Sequence, residues 1–229
     1  MLAPSYPPHA FPSGRILLAF AVLAALAGSL VTLAVARGWT HELDAALLLV
    51  LRGAPADLPP WGPGWFREAV RDLTALGSML VLSMVVVVAT ALMLASGRYR
   101  LAALLLGSSL AATAYSTGLK LLFDRPRPDI VAHQMATFTS SFPSGHSLLS
   151  AAILLTNGGL LAFAARRTGE SWVIGIAAIL LTTLVGLSRI YLGVHWPSDV
   201  LAGWLFGTLW ACLTLFLARS LSPLPKFYG

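Results

Sequence analysis

Residues 16–36 read ILLAFAVLAALAGSLVTLAVA, twenty-one positions without one charged side chain. The hydrocarbon core of a bilayer takes about 20 apolar residues to cross as helix, and a helix satisfies each of its backbone polar groups internally. Five further stretches meet the same demand: 73–95, 101–123, 148–165, 172–187 and 200–218. The fourth and fifth of the six are the shortest and must borrow flanking residues. The pattern predicts an all-α fold, a bundle of six transmembrane helices. Composition agrees, since 10% of the 229 residues are charged where a soluble domain carries about 25%. With 57% hydrophobic residues and a mean hydropathy of +0.80, a water-soluble fold would expose apolar patches that soluble monomers avoid. Six spans leave no room for a second domain. The expected organisation is an N-terminal tail over 1–15, one membrane domain over 16–218 and a C-terminal tail over 219–229. Ala34-Val35-Ala36 has the form of a signal-peptidase site, but the apolar run before it exceeds a signal core of about 7–15 residues, so it reads as a retained anchor.

The charges are few enough to place individually. Fifteen Lys and Arg against nine Asp and Glu leave +6 and an isoelectric point near 10.1, yet no basic run suggests a nucleic-acid partner. Two tight connections are basic, Gly97-Arg98-Tyr99-Arg100 and Arg166-Arg167-Thr168-Gly169-Glu170. The positive-inside rule puts both in the cytoplasm, with both termini near Arg15, Arg219 and Lys226. Eight basic residues then face outward (Arg37, Arg52, Arg67, Arg71, Lys120, Arg125, Arg127, Arg189), four of them in clusters where chemistry can explain them. The single cysteine, Cys212, lies in an apolar stretch and reads as packing, with no disulfide and no cysteine metal site to build. Only Lys120 and Lys226 are lysines; that bias, with abundant Ala, Gly and Leu, points to a GC-rich bacterial gene. Between the first two spans, 37–72 holds an apolar stretch (43–51), four prolines, then Trp61, Trp65 and Phe66. Tryptophans at headgroup level suit an interfacial segment lying on the membrane; a loop packed over the bundle is the alternative.

Charges at a bilayer centre cost about 2.5–3.5 kcal/mol each on insertion scales, so those a membrane protein keeps tend to have a task. Three groups fall at outward-facing helix ends. Lys120-Leu121-Leu122-Phe123-Asp124-Arg125-Pro126-Arg127-Pro128 closes the third span. Pro143-Ser144-Gly145-His146 opens the fourth. Ser188-Arg189 and then His195-Trp196-Pro197-Ser198-Asp199 lie between the fifth and sixth. Together they describe a phosphate site. Guanidinium forks match phosphate oxygens and lysine adds a point charge, so Lys120, Arg127 and Arg189 can hold a dianion from several sides. Ser144 and Gly145 precede a helix whose first N–H groups are unpaired and bind phosphate readily. Pro197 suits a first helical turn, which lets Asp199 reach back one turn to orient the His195 ring. His146 remains as proton donor and acceptor. Arg125 reads as a contact behind the site or to a headgroup, and His9, His41 and His133 as capping or interfacial residues. No Asp/Glu cluster suggests Mg²⁺.

These motifs resemble the signature of the type 2 phosphatidic acid phosphatase (PAP2) family, the membrane branch of a superfamily that also contains vanadium-dependent haloperoxidases. The match is complete at Lys120, Arg127, Pro128, Pro143, Ser144, Gly145, His146, Ser188, Arg189, His195 and Asp199. The resemblance implies a six-helix membrane enzyme without metal or other cofactor, with its site at the outer face of a bacterial inner membrane. It implies that His195 forms a phosphohistidine while Asp199 holds its ring, and that His146 protonates the leaving oxygen. Lys120, Arg127, Arg189, Ser144 and the Gly145 N–H would then stabilise the phosphoryl oxygens. The expected partner is a phosphorylated lipid, with undecaprenyl diphosphate favoured over phosphatidylglycerol phosphate, phosphatidic acid or a lipid A phosphate. A lipid phosphotransferase is a variant of the same chemistry, and an anion or lipid transporter is the reading from another class.

Overall fold

The computed structural model describes residues 12–53, 58–135, 139–164 and 168–221. The outermost tails and the Arg166-Arg167 connection lie outside the described residues. Eight helices are described: α1 (Gly14–Ala36), α2 (His41–Arg52), α3 (Gly64–Ala75), α4 (Met79–Ala95), α5 (Tyr99–Leu122), α6 (Gly145–Ala164), α7 (Thr168–Tyr191) and α8 (Pro197–Leu221). Five of them, α1, α5, α6, α7 and α8, are each long and apolar enough to cross a bilayer, and α3 with α4 forms a sixth candidate span bent by 49°. The chain is a multi-pass, all-helical membrane protein.

The structure revises the sequence reading at the second span and in the segment before it. The span expected over 73–95 is broken at Leu76-Gly77-Ser78, where the Ser78 side chain accepts the Val81 N–H and starts α4 afresh. A Ser N-cap satisfies a helix start that the break would leave orphaned. The short fourth and fifth spans do extend into their flanks, to Gly145 and to Thr168–Tyr191. The segment between the first two spans is a pair of helices packed on the bundle. α2 buries Asp44, Leu48 and Arg52, with Leu48 set among Val131, Ile190, Trp196 and Val200. Phe66 and Val70 of α3 pack on Tyr191, Leu192 and Val194, while Trp39, Trp61 and Trp65 are left exposed.

Outward-facing positions carry many exposed apolar side chains, among them Leu30, Leu80, Val87, Leu110 and Val173, as expected of a surface solvated by lipid. The interior is lined with small and hydroxyl residues, and Ser109, Thr113, Thr156 and Asn157 bond to carbonyls four residues earlier on their own helices. Such back-bonding keeps polar groups satisfied where water is absent. α8 lies at the centre, packed on α6 and α1. A Cβ at Gly203 would stand 2.8 Å from the Ser144 carbonyl oxygen, and one at Gly207 2.4 Å from that of Leu148. Two glycines four apart thus let the α6 and α8 backbones touch, which sets the first turns of these helices side by side. At the opposite end of the bundle, the end that carries Arg98 and Arg100, Arg219 donates to the Pro12 carbonyl at 2.7 Å.

Candidate active site

At the other end of the bundle, α5 and α7 terminate and α6 and α8 begin. Ser144 N–H donates to the Asp199 carbonyl at 3.0 Å, tying the starts of α6 and α8 together. After α7 the chain reverses through Gly193, whose φ of +73° is open to glycine at no steric cost. A Cβ there would also meet Arg52 Nη1 and Val131 at 2.8 Å. This turn presents the Val194 carbonyl and the His195 ring to the same guanidinium. Arg127 Nη1 donates to Val194 O at 2.6 Å and lies 3.3 Å from His195 Nε2.

That contact assigns the tautomer. A guanidinium can only donate, so Nε2 keeps its lone pair and Nδ1 carries the proton. Nδ1 faces Asp199 Oδ2 at 3.5 Å without forming a hydrogen bond; a small movement of the ring would close it. Asp199 is fully buried. Its Oδ2 accepts from the Ser141 hydroxyl and from Trp196 N–H at 2.9 Å, and its Oδ1 from Arg125 Nη1 at 2.5 Å. The His195 ring is held well below the ordinary imidazole pKa, by burial first and then by the positive charges of Arg189, Arg127 and Lys120. It therefore stays neutral, with a nucleophilic lone pair, at physiological pH.

Lys120 Nζ donates to Ser140 O at 2.8 Å, and Ser140 Oγ returns a bond to Lys120 O. Arg127 is braced by Nε to Thr139 O at 2.9 Å; burial lowers its pKa, partly offset by Asp199. Arg189 is buried, with Nη1 at Thr74 Oγ1 (3.2 Å) and Met135 Sδ (3.0 Å) and no partner for Nε. The Ser144 hydroxyl is fully enclosed and accepts from Ser147 N–H and Oγ, so it caps α6 and retains its own proton to donate. The first N–H groups of α6, at Gly145 and His146, have no acceptor among the described residues. The His146 ring forms no hydrogen bond there either and lies against the break between α3 and α4, 3.3 Å from where a Gly77 Cβ would stand. Lys120 Cε passes 3.3 Å from a Cβ built on Gly145, so a side chain at 145 would press on the lysine.

The eight residues singled out in the sequence thus meet at one end of the bundle. Asp124 and Asp129, close in sequence, do not join them; both are exposed. His133 Nε2 contacts Pro128 O at 2.6 Å and His41 stands edge-on to Trp196, while His9 lies outside the described residues. The structure adds Ser141, Thr74, Met135 and Asp44, each touching a member of the cluster or its immediate support, and sets Arg125 on Asp199, behind the site, as one of its two sequence readings has it. Only Asp44 left a trace in the sequence that was not followed: Asp44, Leu48 and Arg52 fall four apart on one face of a helix, two charges in a buried stripe. Among the described residues no three His, Cys, Asp or Glu side chains converge as metal ligands would.

Over 86 residues the chain is 37% identical to the undecaprenyl-diphosphatase of Sulfolobus acidocaldarius, a match covering 38% of this chain and 37% of that protein. It is 31% identical over 153 residues to phosphatidylglycerophosphatase B of Bacillus subtilis, covering 63% of this chain and 71% of the relative. The crystal structure of a transmembrane PAP2-type phosphatidylglycerolphosphate phosphatase from Bacillus subtilis superposes with a TM-score of 0.79, covering 91% of this chain and 98% of that one at 24% identity, which establishes a shared fold. The sequence profile of the PAP2 superfamily matches residues 101–221, more than half of the chain and every residue of the cluster, and the chain belongs to that superfamily.

Proposed function

We propose that this protein is an integral membrane lipid phosphatase working through a phosphohistidine. The observation that carries the reading is the buried His195 ring, whose Nε2 lies 3.3 Å from Arg127 Nη1 and whose Nδ1 lies 3.5 Å from Asp199 Oδ2. Lys120, Arg127 and Arg189 bind the phosphoryl oxygens together with the Ser144 hydroxyl and the Gly145 N–H. Nε2 attacks phosphorus, the P–O bond to the lipid breaks, and His146 gives its proton to the departing oxygen. The imidazolium formed at His195 is balanced by Asp199 through Nδ1–H. Water, losing a proton to His146, then attacks phosphorus, breaks the N–P bond and releases phosphate. The cations neutralise charge as it develops on the equatorial oxygens, in a site that excludes bulk water.

The substrate we favour is undecaprenyl diphosphate. Support comes from the name of one relative and from the site's position at the end of the bundle opposite the basic Arg98–Arg100 turn, which under the positive-inside rule we read as the outer face of a bacterial inner membrane, with both termini cytoplasmic. Phosphatidylglycerol phosphate, phosphatidic acid and lipid A phosphate use the same phosphoryl chemistry. Purified protein in detergent is to be assayed for phosphate release from a panel of these four lipids. His195→Ala and His146→Ala are each expected to lower release by at least about a thousandfold, the scale seen when one member of a nucleophile–base set is lost. EDTA is expected to leave wild-type activity unchanged, because the proposal assigns charge neutralisation to side chains. A loss with EDTA that Mg²⁺ restores would overturn the mechanism, and label passed to an acceptor lipid in place of water would make the enzyme a phosphotransferase.

A further inference from the structure

Behind Asp199, on the side away from His195, lies a second carboxylate. Arg125 bridges the two, with Nη1 on Asp199 Oδ1 at 2.5 Å and Nη2 on Asp44 Oδ2 at 2.7 Å. Asp44 belongs to α2, outside the stretch that the family profile matches, and is 2% exposed. Its Oδ1 accepts the Ser198 N–H at 2.8 Å and its Oδ2 the Ser198 hydroxyl at 2.6 Å. Ser198 Oγ in turn accepts from Arg125 Nη1 at 2.8 Å. Thr40 Oγ1, at 3.3 Å from Nη2, and the Trp196 ring, 5.7 Å below the guanidinium carbon, complete the enclosure.

This arrangement has two physical consequences. First, Asp44 accepts the Ser198 N–H and hydroxyl in the opening turn of α8, a capping role supplied by a different helix. The backbone that carries Asp199 is thereby anchored to α2. Second, a lone Arg125 would place its whole charge against Asp199, competing with His195 for the carboxylate and drawing it away from Nδ1. With Asp44 on its other side, the guanidinium is shared between two carboxylates, and Asp199 keeps negative charge to offer the imidazolium as the N–P bond forms.

Resting on the phosphohistidine reading above, we infer that Asp44 and Arg125 are positioning residues, and that Asp44 sets the charge and orientation of Asp199 toward His195 through Arg125. Neither touches the phosphate, so the chemical step should suffer while substrate binding does not. The test measures kcat and KM of full-length protein in detergent, with a short-chain lipid phosphate, for wild type, Asp44→Asn, Asp44→Glu and Ser198→Ala. Asp44→Asn removes the charge at nearly constant shape. Its kcat is expected to fall between about tenfold and a hundredfold, the cost of a misplaced catalytic group, with KM within twofold. Asp44→Glu, which restores the charge, is expected to recover at least a third of wild-type kcat. Ser198→Ala keeps both charges and removes one link, and its kcat is expected to fall about threefold to tenfold at constant KM; this variant decides the matter if Asp44→Asn does not fold. A folded Asp44→Asn with wild-type kcat would overturn the inference, as would a rise in KM with kcat unchanged, or a Glu variant no better than Asn. Inactive wild type would instead sink the phosphatase reading itself.

Discussion

His195 shows how much one side chain owes to its surroundings. Only its spacing from Asp199 is local, four residues across the start of α8, and that relation was legible in the sequence because helix geometry brings i and i+4 together. The tautomer, the neutrality and the direction of the lone pair all come from elsewhere: Arg127 is 68 residues away along the chain, and Arg189 is itself held by Thr74, 115 residues distant. Contacts of that range leave no periodic trace, which is why the sequence does not point to Thr74, Met135 or Ser141 as it does to the helix-end motifs; Asp44 shares a helical stripe with Leu48 and Arg52, but the stripe does not name its partner. The neutral state can be measured directly. In protein labelled with ¹⁵N-histidine, the His195 ring should keep the shifts of the neutral Nδ1–H tautomer at pH 5.5, where an ordinary imidazole of pKa about 6.5 is mostly protonated. The sign follows from the environment: burial and neighbouring cations both disfavour the charged form, so protonation is delayed to lower pH. An apparent pKa of 6.5 or above would refute this account of the nucleophile.

At the scale of the element, hydropathy located five of the six spans well and misjudged one. Residues 73–95 are apolar throughout, and apolarity alone does not distinguish a straight span from one interrupted by Gly77 and Ser78. The interruption matters because a Cβ at Gly77 would stand 2.4 Å from Val185 and 3.3 Å from the His146 ring, so the break is where α3, α7 and the proposed proton carrier meet. Gly203 and Gly207 were equally visible in the sequence, but four-residue glycine spacing gains meaning only once a partner helix is known. A side chain at Gly207 must force α8 off α6, since it would meet Leu148 O at 2.4 Å, Ala151 Cβ at 2.5 Å and Ala152 N at 3.0 Å. Gly207→Val should therefore destabilise the protein by about 1–3 kcal/mol or more, the cost of overpacking, and separate the first turns of α6 and α8 enough to reduce phosphate release. Gly107, with nothing within 4 Å of its Cβ position, is the control: Gly107→Ala should leave the unfolding midpoint in detergent unchanged or slightly raised, by up to about 1 kcal/mol of helix propensity. Equal effects at the two positions would show that close packing of α6 on α8 does not govern stability.

The whole molecule is organised by a division of its sparse charge between two ends. Lys120, Arg125, Arg127 and Arg189 cluster with His146 and His195 at one end; Arg98, Arg100 and Arg219 sit at the other. The proposed phosphoryl chemistry accounts for the first group, and the second fits the rule that basic connections are retained on the cytoplasmic side during insertion. The two groups therefore make a joint statement about orientation that neither makes alone. The chain has one native cysteine, Cys212, buried on α8, so single reporters can be introduced against a silent background. Asp129 is exposed beside the site and Arg98 is exposed at the opposite end. In intact cells stripped of any outer membrane, a membrane-impermeant maleimide should label Asp129→Cys and leave Arg98→Cys unlabelled until the membrane is permeabilised. The reverse pattern would put the phosphate cradle on the cytoplasmic side, where a carrier lipid diphosphate released at the outer leaflet cannot reach it, and would exclude that substrate while leaving the phosphoryl chemistry intact.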